Sequence, residues 1–76
     1  MTSAFILIAT EVGSEETVYD MLNEIPEVQK ADKVYGVYDI IALIEADTLQ
    51  DLRQLLSYRI RRIPDIKSTT TMIVIR

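Results

Sequence analysis

The chain predicts an α+β domain made of two split strand–helix–strand halves, the βαββαβ ferredoxin-like arrangement, and three observations carry that prediction. Residues 4–9 (Ala-Phe-Ile-Leu-Ile-Ala) and 40–44 (Ile-Ile-Ala-Leu-Ile) are wholly apolar and too short for helices. Such runs read as strands buried on both faces, at the centre of a sheet. The chain also repeats itself at an offset of 38: Ala4, Phe5, Ile6 and Thr10 meet Ala42, Leu43, Ile44 and Thr48, and Ile25-Pro26-Glu27-Val28 meets Ile63-Pro64-Asp65-Ile66. Finally, residues 28–35 carry Lys30, Asp32 and Lys33, and residues 67–75 open with Lys67 followed by Ser68, Thr69, Thr70 and Thr71. Charge and hydroxyls suit edge strands. Two halves of this kind give an antiparallel four-stranded sheet, first and third strands central, with two helices on one face.

Each element has a local reason. After the first strand, Gly13 ends the connection and Ser14 is placed to cap a helix, with Glu15 and Glu16 favourable in its first turn. Val18, Met21, Leu22 and Ile25 form one apolar stripe at helical spacing. Pro26 stops that helix, because it lacks a donor and disfavours helical geometry at Ile25. Between the second and third strands, Gly36 and Asp39 mark a turn: glycine takes positive φ freely, and aspartate can bond its own backbone two residues on. Thr48 with Asp51 opens the second helix as a variant capping box. Leu49, Leu52, Leu56, Ile60 and Ile63 are its buried stripe, with Leu55 widening it. Arg59, Arg61 and Arg62 crowd its last turn before Pro64 stops it.

Seventy-six residues make a single domain, 1–76. At this size a chain buries roughly 60–65% of its unfolded surface. There is no cysteine and no histidine, so neither a disulfide nor the usual zinc sites can staple it, and small domains in that position gain stability by oligomerising. Both alternate residue sets of the central strands are apolar, while two helices cover only one face. The uncovered face is expected to pack, sheet to sheet, on a second copy in a two-fold dimer, a dimeric α/β barrel-like assembly.

A net charge of −4 argues against autonomous nucleic-acid binding, since phosphate contacts supply most non-specific affinity. Acids dominate residues 1–29 and bases dominate residues 52–76. That asymmetry either aligns copies of the chain or reflects ordinary helix electrostatics. The N-terminal apolar run is too short for a signal peptide core or a membrane span, so a cytoplasmic protein is expected.

Enzyme readings are poor, because no paired-carboxylate, phosphate-loop or dinucleotide pattern is present, and no spacing suggests a metal or cofactor. Two features remain. Gly36, Val37, Tyr38 and Asp39 place a permissive backbone, a phenol and a carboxylate in one turn; Ser68, Thr69 and Thr70 line up hydroxyls at the start of the last strand. Either the first only shapes a hairpin and the second only fills an edge strand, or together they hold the charged ends of a free amino acid.

Pro26-Glu27-Val28, Val34-x-Gly36-x-Tyr38-Asp39 leading into an apolar strand, and Ile63-Pro64-Asp65-Ile66-x-Ser68-Thr69-x-Thr71 resemble the effector-binding domain of the Lrp/AsnC regulators, the "regulation of amino acid metabolism" (RAM) module. The match runs nearly the whole chain, and its most specific part is the glycine-x-tyrosine-aspartate turn. The resemblance implies a homodimer assembling into octamers or decamers. It also implies amino-acid effectors bound between dimers, near Gly36–Asp39 and the Ser68–Thr70 strand. The N-terminal helix-turn-helix of that family is absent from these 76 residues. The resemblance therefore implies a sensor, or a partner of full-length regulators, without direct DNA contact. The rivals are a small dimeric α+β barrel enzyme, of oxygenase or isomerase type, and a purely structural oligomerisation module.

Overall fold

The computed structural model describes residues 1–75; Arg76, one of the C-terminal bases, lies outside the described residues. The order is β1 (Thr2–Thr10), α1 (Glu15–Asn23), β2 (Val28–Lys33), β3 (Ile40–Ala46), α2 (Leu49–Leu55) and β4 (Ile66–Ile73). All strand pairs are antiparallel and the sheet runs β2-β3-β1-β4. The two apolar runs are therefore the central strands and the two polar runs the edges.

Strand alternation divides the sheet into two faces. Ala4, Ile6, Ile8, Ile40 and Ile44 are fully buried beneath Val18, Leu22 and Ile25 of the first helical region and Leu52, Leu56, Ile60 and Ile63 of the second. On the opposite face, Phe5 pairs with Leu43 and with Met72, and Leu7 pairs with Ile41 and with Thr70. No helix covers that face in one copy: Phe5 is 37% and Met72 47% exposed.

Several local expectations need correction. β2 stops at Lys33, short of Tyr35, and β4 spans 66–73 instead of 67–75. β1 and β3 extend beyond their apolar cores, because polar residues at strand ends can still complete the ladder. Met21 and Leu49, placed in buried stripes by spacing, are 36% and 39% exposed; each lies at the margin of its stripe, and Tyr19 of α1 also packs against the core. Ser14 occupies the N-cap position of α1 without a side-chain bond to the helix, whereas the Thr48 hydroxyl accepts the Asp51 N–H at 3.1 Å.

Beyond Leu55 the second helix departs from the regular α-helix that its apolar spacing predicts. It widens into a π-helical turn over Leu56–Ile60, with the Arg61 N–H donating to the Leu56 carbonyl at 3.0 Å. The wider turn sits where Leu56 and Ile60, four residues apart, both face the sheet.

The internal repeat has a structural counterpart. The Glu45 N–H donates to the Glu27 carbonyl at 3.0 Å, and the Glu11 N–H donates to the Asp65 carbonyl at 2.8 Å. In each half, the residue after the helix-stopping proline is thus tied to the end of a central strand from the other half.

Candidate functional site

The segment between β2 and β3 is a loop closed by the Val34 N–H donating to the Asp39 carbonyl at 2.8 Å. Gly36 takes φ 141°, and among the described residues beyond its two chain neighbours no atom lies within 4 Å of where a Cβ would be. Glycine is required there for conformation, not for space. Val34, Tyr35 and Val37 are exposed along the loop, Tyr35 fully so, while Tyr38 and Asp39 are half-buried where the chain re-enters the sheet.

The Asp39 carboxylate does not bond its own turn, which corrects the expectation from its sequence position. Its Oδ2 accepts the Thr10 backbone N–H at 2.8 Å and the Thr10 hydroxyl at 3.3 Å, 29 residues away in sequence. The Asp39 N–H donates to the Ile8 carbonyl at 2.8 Å. The reason is ladder geometry: the last β1–β3 pair is Ile8 with Ile40. Two residues further on, the Thr10 N–H points to the same side of β1 with no strand carbonyl left to meet. The carboxylate takes that place, so a nearly buried donor is satisfied. Thr10 is the residue that sequence reading missed. Its only signal was a position in the repeat, where its counterpart Thr48 caps a helix.

The Tyr38 hydroxyl lies 2.9 Å from Thr70 Oγ1, and either can donate. Because β1 separates β3 from β4, this phenol reaches across the end of β1 to the last strand. Thr70 and Ser68 pair with Leu7 and Ala9, on the sheet face that no helix covers. Thr69 pairs with the buried Ile8 and belongs to the helix side. The structure therefore brings Tyr38, Asp39, Ser68 and Thr70 to one end of the sheet, leaves Gly36 and Val37 on the loop above, and turns Thr69 away.

A groove of about 590 Å³ lies elsewhere, at the opposite end of β3. It is an open groove bordered by Glu27, Glu45, Asp47, Asp51, Tyr58 and Arg59. Between helices and sheet lie the buried apolar side chains of the core. Glu27 Oε1 in the groove and Thr71 Oγ1 on β4 are buried oxygens without a hydrogen-bond partner among the described residues.

The ferredoxin-like sheet thus carries a partly exposed apolar face and a polar turn at one end. The model of the Lrp/AsnC ligand-binding domain matches residues 3–76, and the chain belongs to that family. It is 32% identical over 71 residues to the uncharacterized HTH-type transcriptional regulator PH0140 of Pyrococcus horikoshii, covering 93% of this chain and 45% of that protein. The chain thus spans less than half the length of that relative. The crystal structure of FFRP-DM1 superposes with a TM-score of 0.96 at 48% identity, covering 99% of this chain and all of the other. At the level of fold alone, the regulator NMB0573 of Neisseria meningitidis, solved as an L-Met complex, aligns with a TM-score of 0.87 at 12% identity, over 99% of this chain and 50% of that one.

Proposed function

We propose that this chain is an amino-acid-sensing and oligomerisation module whose effector binds at the end of the sheet marked by Tyr38, Asp39 and Thr70. The observation that carries the reading is the Tyr38–Thr70 contact of 2.9 Å, which joins the glycine-containing turn to the hydroxyl row. In this chain, which belongs to a family of ligand-binding domains, charged and neutral hydrogen-bonding groups meet at that end of the sheet. The turn backbone from Gly36 to Tyr38 and the Asp39 carboxylate hold the α-ammonium, because a cation requires oxygen acceptors. Hydroxyls of Ser68 and Thr70 receive the carboxylate, with Thr69 joining only if β4 shifts or a neighbouring copy presents it. The L-Met complex of the distant regulator is consistent with a free amino acid as the ligand class.

The uncovered face is the proposed dimer interface. Phe5, Leu7, Ile41, Leu43 and Met72 make an apolar patch of the kind monomers rarely leave in water. The site then lies at the rim of the dimer, open to a neighbouring dimer in a larger ring. Full-length regulators of the same family are the further partners this reading implies. The enzyme alternative is disfavoured by the apolar core between helices and sheet and by the lack of histidine and cysteine.

Titration of two variants tests the site. Removing a charge-assisted hydrogen bond costs about 1.5–3 kcal/mol, roughly ten- to a hundred-fold in affinity. Asp39→Asn should weaken binding by that much and Thr70→Val more mildly, with both proteins folded. Unchanged affinity in folded Asp39→Asn protein would remove Asp39 from the site and leave it as the residue that ends the β1–β3 ladder.

A further inference from the structure

We infer that Thr10 is the positioning residue of this site, acting through Asp39; the inference rests on the proposed amino-acid site. Thr10 is only 6% exposed, yet both of its donors go to one atom: backbone N–H at 2.8 Å and hydroxyl at 3.3 Å, each to Asp39 Oδ2. A carboxylate on a loop would otherwise rotate about two side-chain torsions. Here the first acceptor oxygen is saturated by a rigid central strand, while among the described residues no donor reaches Oδ1. The carboxylate is therefore fixed in orientation with one oxygen reserved for an incoming donor. A bound ammonium that meets Oδ1 finds its acceptor already immobilised, which is how preorganisation raises affinity. Thr10 itself touches no ligand. Its hydroxyl sets how well the site reads the ammonium, and with it the preference for amino acids over simple carboxylic acids.

That preference gives a readout that mere structural support would not move. The probes are the proteinogenic L-amino acid that binds the wild type most tightly and its des-amino analogue, the same acid with hydrogen in place of the ammonium. Thr10→Val keeps the side-chain shape and the backbone donor and removes the hydroxyl. Calorimetry should show the amino acid binding about three- to ten-fold more weakly, the scale of one hydrogen bond, while the analogue binds as it does to wild type. Thr10→Ser should restore the difference. In the wild type, the Thr10 amide resonance should shift on adding the amino acid and stay still on adding the analogue, a measurement that decides the matter even if Thr10→Val does not fold. Equal weakening toward both probes, no weakening at all, or a Thr10 amide indifferent to the ammonium would overturn the inference while leaving the amino-acid site standing. A wild type that binds no amino acid would remove the proposed site, and this inference with it.

Discussion

Asp39, Gly36 and Lys33 show how differently single residues sit around one loop. Asp39 commits Oδ2 to the end of β1, so its substitution touches stability as well as binding, and the two must be measured separately. Gly36 stands in open space at φ 141°, so Gly36→Ala meets no clash but forces an unfavourable backbone. Urea unfolding at fixed protein concentration should show a loss of about 1–3 kcal/mol. Lys33 donates to Glu16 at 2.7 Å, tying β2 to α1, and its ammonium lies 4.9 Å from the Tyr19 ring centroid. The hydrogen bond to Glu16 holds its pKa above the usual lysine value, partial desolvation opposing and the Glu16 charge adding. A raised lysine pKa contributes stability that is fully present below the unfolded value, about 10.4, and is lost as pH rises through the folded value. The stability difference between wild type and Lys33→Met should therefore be constant from neutral pH to about pH 10 and shrink above it. A difference that already fades near neutrality would contradict this assignment.

The two halves of the chain share a pattern but not their joints, and that difference governs what was legible at the level of elements. Both helices, their proline stops and the centrality of β1 and β3 followed from apolar periodicity and the offset of 38, since burial is what periodicity records. Both helices start where Ser14 and Thr48 place them, but only one of the two caps through its side chain. The connection after β3 is short enough that Thr48 ends the strand region and caps α2 directly. After β1 the chain runs through Glu11, Val12 and Gly13 before Ser14, so Thr10 is free to serve Asp39. Ser14 caps only through its backbone carbonyl, which accepts the Val18 N–H at 3.0 Å. Thr48→Ala should cost about 1 kcal/mol, the usual value of a side-chain N-cap, and Ser14→Ala only a few tenths; denaturation of the two variants side by side checks the contrast. The π-helical turn was not legible, because a four-residue spacing of apolar positions is also compatible with an ordinary α-helix. The Thr10–Asp39 tie was hidden for another reason. It joins residues 29 apart, and a threonine at a strand end carries no mark of its partner.

At the scale of the whole molecule, the sheet separates two kinds of apolar residue. Ile6 is fully buried beneath the helices, whereas Leu43 is half-buried on the uncovered face. Ile6→Lys should therefore unfold the chain, while Leu43→Lys should leave secondary structure largely intact and shift sedimentation toward the monomer or toward aggregates. A wild type that is a soluble, folded monomer at micromolar concentration would end the dimer proposal. If the acidic and basic halves also align dimers in a ring, assembly should weaken as salt rises, because exposed charges are screened within about 10 Å at 0.1 M. Chemical complementarity and the family resemblance grouped the turn with the hydroxyl row in the sequence, and the fold adds which members share a face: Ser68 and Thr70 but not Thr69. The most direct measurement of the central proposal is a titration of the isotopically labelled wild-type chain with each proteinogenic L-amino acid, followed by backbone amide resonances. At least one amino acid should produce saturable shifts concentrated at Gly36, Val37, Tyr38 and Asp39 and at Ser68 and Thr70. Saturable shifts confined to the groove of Glu27, Asp51 and Arg59, or no saturable shift with any of them, would contradict it.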